Sequence, residues 1–342
     1  MMVGDHQEAR EAGRRAMTEH LPVPLLDASI GAAELAERLS RGARDARGTM
    51  AAETGRALRK AWRAFQVWCE ARGVLVMPAR FETVADYVDA LAAIPGRKPA
   101  GIRQAAWAIG RMHKLAGLPD PAASEPVRLA LKRMSLALGT RQSQAAPLGD
   151  YEVRRIAETA GGSVVELRDF ALLLVMRDLL ARRSEVVTLD AADVTRDPDG
   201  SAVVLVRRSK TDQTGEGAEL YLSPPAVAAL DRWLAAAGIE GGPLFRTVHR
   251  GGRIGDRLRA AEVPKVLKRL AHKAGLKPEV VERVSGHSCR VGMAQDLVAD
   301  GADLAGVMQA GRWKSPTMPA RYTARLEAKR GAVARLHMRK GG

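Results

Sequence analysis

The chain has 342 residues, 46% hydrophobic and 27% charged, a folded composition too long for one ordinary core. Its net charge is +15, from 54 Lys and Arg against 39 Asp and Glu, and such an excess points to nucleic acid as the partner. Only two cysteines occur, Cys69 and Cys289, which excludes a disulfide framework and a four-cysteine zinc site; no apolar run approaches the roughly 20 residues needed to span a bilayer, and no secretory leader is visible, so a cytoplasmic protein that binds no membrane is expected.

Residues 1–20 are polar and aperiodic and read as a flexible tail. From Leu21 to Leu138 the pattern is helical. Leu58, Trp62, Phe65 and Cys69 fall at i, i+4, i+7 and i+11, one face of a helix. Val84, Tyr87, Val88 and Leu91 repeat that spacing before Pro95-Gly96, and Ile102, Ala106, Ile109 and Met112 form a third stripe closed by Gly117 and Pro119. Core packing accounts for these stripes. The opposite faces carry Arg56, Lys60 and Arg63 on one helix and Lys98, Arg103 and Gln104 at the start of another. An ordinary solvated surface would contain such residues, but Arg pairs with guanine and Gln with adenine in a DNA groove, so these six are candidate DNA contacts.

The polar segment Gly139–Gly149 breaks the periodicity and is the expected linker, leaving residues 150–342 as a second domain. Asp150 is expected to cap a helix reaching about Ala160, and the apolar run Phe170–Leu180 predicts a buried helix. Ala202–Arg207 and Leu220–Leu222 read as paired strands joined by a polar loop. Further helices are expected at about 224–237, 261–275, 288–300, 302–309 and 326–339, which gives a mostly α protein with a small β-sheet.

Within the second domain several residues sit oddly in their surroundings. Arg182 follows directly on the buried helix, Lys210 lies in the loop between the strands, His287 and Arg290 stand three apart at a helix start, Trp313 follows Gly311-Arg312, and Tyr322 lies in the polar stretch Ala-Arg-Tyr-Thr. Taken singly, each has an ordinary explanation: a helix-terminal charge, a solvated lysine, a cap, a core tryptophan, a surface tyrosine. Together they form a set suited to attack on a phosphodiester. Arginine stays protonated and grips two oxygens, so two arginines with a histidine and a tryptophan N–H can stabilise the extra negative charge of the transition state. A tyrosine supplies the nucleophile, and a mobile lysine can protonate the leaving 5′ oxygen. No carboxylate cluster for paired metals and no Gly-rich Lys-Ser/Thr loop for nucleotide is present, so no metal and no cofactor are expected.

In that order and on those elements the residues resemble the tyrosine recombinase (phage integrase) family. The similarity is strongest over Ser285–Tyr322, which begins SGHSCRVGMAQDLVADGADLAGVMQAGRWKS and carries Trp where many relatives carry His. Arg-Arg-Ser-Glu resembles the family's Arg-x-Ser/Ala-Glu box, which selects Arg182 over Arg183 and adds Glu185 as the acidic member. LPVPLLDAS and the Trp62–Arg72 region extend the likeness over about residues 21–340. The resemblance implies a C-shaped clamp on double-stranded DNA made of a helical core-binding domain and a mixed α/β catalytic domain. It also implies a covalent 3′-phosphotyrosine at Tyr322 and a protein that is monomeric when free and forms a homo-tetramer on two DNA sites. A C-terminal helix, with Leu326, Ala332 and Leu336 among its apolar contacts, would dock into a neighbour.

Two departures stand out. Cys289 replaces the small residue usual between the histidine and the arginine, and Glu262, Val263 and Pro264 open the helix expected at 261–275 without the arginine that reads a base in one member. The target sequence therefore does not carry over. A type IB topoisomerase would use the same chemistry without paired sites, a DNA-binding protein without catalysis would explain the charge alone, and an RNA-binding protein fits poorly in a chain only 4% aromatic.

Overall fold

The computed structural model describes residues 31–46, 48–139, 144–207, 216–331, 333–334 and 336–337. The tail expected over 1–20, part of the expected linker (140–143), Lys210 and Ala332 lie outside the described residues. The chain divides into two compact units, the first ending at Gln142 and the second starting at Ser143.

Among the described residues the first unit is helical: α1 (Ala32–Asp45), α2 (Ala52–Glu70), α3 (Phe81–Ala92), α4 (Pro99–Leu115) and α5 (Glu125–Leu138). The spacings seen in the sequence become its core. Leu58, Phe65 and Cys69 from α2, Val84, Tyr87, Val88 and Leu91 from α3, and Ile102, Ala106 and Ile109 from α4 are buried, with Val127 and Met134 of α5 against them. Trp62 is half-buried against this core, and both it and the half-buried Met112 pack on a smaller cluster of Met77, Ala116 and Leu118. Pro99 opens α4 at a position where its missing N–H has no helical partner to lose.

The second unit runs α6 (Asp150–Glu158), α7 (Val164–Asp178), α8 (Arg183–Val186), β1 (Val194–Arg196), β2 (Ala202–Val206), β3 (Ala218–Leu222), α9 (Pro224–Ala237), β4 (Arg246–Val248), β5 (Ile254–Arg257), α10 (Val263–Lys273), α11 (Pro278–Arg283), α12 (Ser288–Ala299), α13 (Leu304–Gly311) and α14 (Thr317–Arg330). It is mostly helical with two small antiparallel sheets, β1-β2-β3 and β4-β5. The strand pair expected from the sequence is present, in the register Ala202↔Leu222 to Val206↔Ala218. The apolar run becomes α7, which is buried on nearly every side: Ala171, Leu172, Leu173, Val175 and Met176 have no exposed surface. Burying each of the larger ones contributes about 1.5–3 kcal/mol. α7 packs on α9, whose Trp233 is fully buried and donates through Nε1 to the carbonyl of Leu244 at 2.9 Å, and on α10 through Leu267 and Leu270.

Two local expectations are corrected. Asp150 is the first residue of α6 rather than its cap; Gly149 holds the cap position, its N–H donating to Glu152 Oε2 at 2.9 Å, while Asp150 pairs with Arg154 one turn on. The helix expected at 326–339 starts much earlier, at Thr317; α14 runs to Arg330, and the described residues 333–334 and 336–337 are again helical. Pro319 falls in its first turn, where a missing N–H breaks no helical bond. Tyr322 therefore lies on a helix. Among the described residues no helix is long and apolar enough to cross a membrane.

Candidate active site

α7 ends at Asp178, and Leu180 turns the chain through the left-handed region, with φ 43°, before it runs extended into Arg182. A β-carbon makes that conformation costly, so surrounding bonds must hold it. One is visible: the Leu180 carbonyl accepts from Arg290 Nη1. Arg182 then caps the short α8, and Glu185 reaches back to it twice. Glu185 Oε2 accepts from the Arg182 backbone N–H at 3.0 Å, and Oε1 accepts from Arg182 Nη1 at 2.5 Å. Glu185 is 2% exposed, so this pairing sits in a low-dielectric setting where an unpartnered carboxylate would be costly.

α12 brings the second arginine. His287 occupies the cap position of that helix with its side chain exposed, and Arg290 follows inside the first turn, 2% exposed. The helix is held close to the chain before α6. A β-carbon on Gly292 would lie 2.1 Å from the Leu148 carbonyl oxygen, Leu148 N–H donates to the Ser288 carbonyl at 3.1 Å, and Arg177 of α7 donates to Asp296 at 2.7 Å. Arg290 Nη2 donates to the Gly311 carbonyl at 2.8 Å, and its guanidinium carbon lies 4.3 Å from the centre of the Trp313 ring. Burial, and secondarily the charge of Arg182, pull its pKa down to about 10.

Trp313 links this arginine to the tyrosine. Its ring meets Tyr322 edge to face, with centroids 5.9 Å apart at 72°. Tyr322 is 8% exposed and packs with Val291, Ala294, Val298 and Val307, while its backbone carbonyl accepts from Gln295 Nε2 at 2.9 Å. Burial raises the phenol's pKa above its ordinary value, and Arg290, Arg321 and Arg182 oppose the rise. The phenol is thus not ionised in advance, and the arginines around it favour the phenolate once the proton leaves.

Arg182, Glu185, Arg290, Trp313 and Tyr322 come together in one cluster, with His287 at the start of the helix that carries Arg290. Lys210 belongs to the connection between β2 and β3, outside the described residues. Arg312, which the sequence did not single out, enters the same cluster: Nη2 donates to Glu185 Oε2 at 2.7 Å. Three guanidiniums thus face one carboxylate, an imbalance that suits an anion. Cys289 is fully buried, and burial pushes its thiol up to about 12. Among the described residues no His, Cys, Asp or Glu side chains are grouped to hold a metal ion. In the first unit Arg56, Lys60 and Arg63 are exposed on α2, Arg56 paired with Glu53; Lys98 caps α4, and Arg103 and Gln104 are exposed on it, Arg103 donating to Ser135 Oγ at 2.8 Å.

Residues 148–329, more than half of the chain, match the Phage integrase family. The chain belongs to this family of tyrosine recombinases, enzymes that transfer DNA strands. Among its relatives, it is 27% identical to the recombinase Cre of Escherichia phage P1 over 336 residues, 94% of this chain and 97% of Cre. It is 30% identical to the integrase/recombinase XerD homologue of Selenomonas ruminantium over 272 residues, 76% of this chain and 78% of that protein. Its fold is similar to the Tn1549 transposon integrase solved with a circular intermediate DNA (TM-score 0.59, 14% identity, 86% of this chain and 99% of that one). It is also similar to the lambda integrase tetramer bound to a Holliday junction (TM-score 0.56, 16% identity, 92% of this chain and 85% of that one).

Proposed function

We propose that this recombinase cuts each DNA strand with Tyr322 and holds the cut end as a covalent 3′-phosphotyrosine. The phenol gives up its proton to a water molecule, its oxygen bonds to phosphorus, and the bond from phosphorus to the 5′ oxygen breaks. Lys210 protonates that leaving oxygen. Arg182, Arg290, His287 and Trp313 stabilise charge on the non-bridging oxygens, and Glu185 orients Arg182. Rejoining is the reverse reaction with a 5′ hydroxyl from the partner strand, so the phosphodiester energy is conserved.

The observation that carries this reading is the state of Arg290. It is buried beside Tyr322, and its hydrogen bonds among the described residues go to two backbone carbonyls, not to a carboxylate. A buried guanidinium that shares one nearby carboxylate, Glu185, with two other arginines is costly unless an anion completes the site, and a phosphodiester has the right charge and geometry.

On the DNA side, the exposed Arg56, Lys60, Arg63, Lys98, Arg103 and Gln104 are the proposed contacts of the helical domain, residues 21–138, joined through 139–149 to the catalytic domain, 150–342. The working form is a homo-tetramer on two sites with inverted arms around a spacer, formed by monomers on DNA. Past Gly331, Val333 is 72% exposed and Leu336 41% exposed, which supports docking of this segment into a neighbour. The test is to recover bound duplexes from a random pool, place a nick beside the cleavage position, and look for a protein–DNA adduct stable to denaturant. The wild type forms the adduct and Tyr322→Phe, which removes one oxygen and no charge, binds the same DNA without forming it. An adduct with the Phe protein would overturn the assignment of Tyr322.

A further inference from the structure

Arg312 closes α13 in the left-handed conformation, at φ 53° and ψ 46°. Glycine takes that position without penalty, and arginine does not. Its side chain is only 13% exposed, and its Nε and Nη1 are buried with no hydrogen-bond partner among the described residues. Two unfavourable features thus coincide at one residue. Buried unsatisfied donors and backbone strain persist where the surroundings enforce them, and they gather at functional sites. Among the described residues its one side-chain hydrogen bond is the 2.7 Å contact from Nη2 to Glu185 Oε2.

That contact matters because of what Glu185 does with its other oxygen. Oε1 accepts from Arg182 Nη1, and Arg182 commits no other side-chain nitrogen among the described residues. An arginine beside a lone carboxylate tends to pair through two parallel N–H bonds. Such a fork would turn the guanidinium's edge into Glu185 and spend two nitrogens there. Here Oε2 is already taken, by Arg312 and by the Arg182 backbone N–H. The charge count also changes: with Arg312 present, the carboxylate no longer neutralises Arg182 alone.

We infer that Arg312 is a positioning residue that occupies Glu185 Oε2, restricting the Arg182 guanidinium to a single side-chain bond with Glu185 so that its remaining donors are free to grip the scissile phosphate. This rests on the reading of Arg182 as a phosphate ligand given above. Arg312 touches no substrate in this scheme; it acts through Glu185.

The experiment is single-turnover cleavage of nicked DNA at saturating protein, with DNA affinity and melting temperature measured on the same proteins. Arg312→Gly suits the backbone better than the native residue, so it folds and melts no lower than the wild type. It binds DNA equally and cleaves about 10- to 100-fold more slowly, the range expected when a reacting group is displaced by under an ångström or so. Arg312→Lys, which keeps the charge and a donor toward Oε2, recovers most of the rate. In a Glu185→Gln background the Arg312→Gly change adds little, because the two residues act as one unit. Wild-type cleavage by Arg312→Gly would overturn the inference. So would full additivity with Glu185→Gln, or equal defects in the Lys and Gly variants. In each of those cases an adduct that still depends on Tyr322 leaves the reading of the site standing, whereas an adduct formed by Tyr322→Phe would sink that reading itself.

Discussion

Gly311→Ala is the smallest change expected to disable the site. The side chain it adds is one methyl, yet a β-carbon there would lie 1.8 Å from Trp313 Cζ3 and 2.1 Å from Cε3. To reach an ordinary carbon–carbon separation the indole must retreat by about 1.5 Å or more. The ring cannot move alone: one side carries the Arg290 guanidinium at 4.3 Å, and its edge meets Tyr322 at a centroid distance of 5.9 Å. The Gly311 carbonyl is itself an acceptor for Arg290 Nη2. Crowding of this kind costs about 1–3 kcal/mol of stability, which lowers the melting temperature by several degrees without unfolding the protein at room temperature. The effect on rate should be larger than the effect on folding, because a displacement near 1 Å at a reacting group costs about 100-fold. The assay is single-turnover adduct formation on nicked DNA at saturating protein, beside a thermal melt and a binding isotherm. A Gly311→Ala protein that shows the lower melting temperature but cleaves within about threefold of wild type would refute the idea that Trp313 holds Arg290 and Tyr322 in register.

Arg290→Lys should bind DNA and fail to cleave it, with a loss of about 100-fold or more, because an ammonium cannot reach the Leu180 and Gly311 carbonyls and also face a phosphate in a fixed plane; near-normal cleavage would reject its role. A second expectation concerns stability in acid. His113 is 1% exposed, its Nε2 accepts from the Ala79 N–H at 2.9 Å, and its Nδ1 donates to the Ile109 carbonyl at 2.8 Å, so the neutral ring fits and burial lowers its pKa. As the pH falls through the unfolded value of about 6.5 the unfolded chain takes up the proton first, so stability is complete above that pH and declines below it, by at most about 1.4 kcal/mol per pH unit for this one group. His113→Gln, whose amide can serve both partners, should flatten the fall in melting temperature between about pH 7.5 and pH 5.5. Identical pH slopes for the two proteins would show that His113 is not the group responsible.

How much of this could be read from the chain depended on whether a feature leaves a repeating or an ordered trace. The buried faces of α2, α3 and α4 repeat with the helical period, so Phe65, Val88 and Ile109 were legible as core before any coordinates. α7 was legible because a helix buried all round has no polar face to hide it. The short strands β4 and β5 carry Arg246, Thr247, Asp256 and Arg257, show no alternation, and were not foreseen; three or four residues are too few to establish a period. The early start of α14 was missed for a related reason: a proline at Pro319 reads as a break unless one knows that it falls in a first turn.

The site divides along the same line. Arg182, Lys210, His287, Arg290, Trp313 and Tyr322 were picked out as an ordered set of residue types, and order survives in a sequence; Glu185 came only through the resemblance of Arg-Arg-Ser-Glu to a family box. Arg312 belongs to no such set. Its significance lies in a left-handed backbone at a residue with a β-carbon and in two donors left unsatisfied, and both are properties of three-dimensional packing. Gly311 leaves no clearer trace, since a glycine near a helix end commonly takes the left-handed turn itself. Here the glycine is needed one position earlier, to make room for the Trp313 ring, and the left-handed turn falls to the arginine that follows. A terminus that used glycine at both positions would relieve the strain and leave Glu185 Oε2 open to Arg182. The arginine at this position is therefore where the strain is accepted in exchange for control of that carboxylate, and an Arg312→Gly protein that melts no lower but cuts more slowly is the outcome that separates this account from simple helix capping.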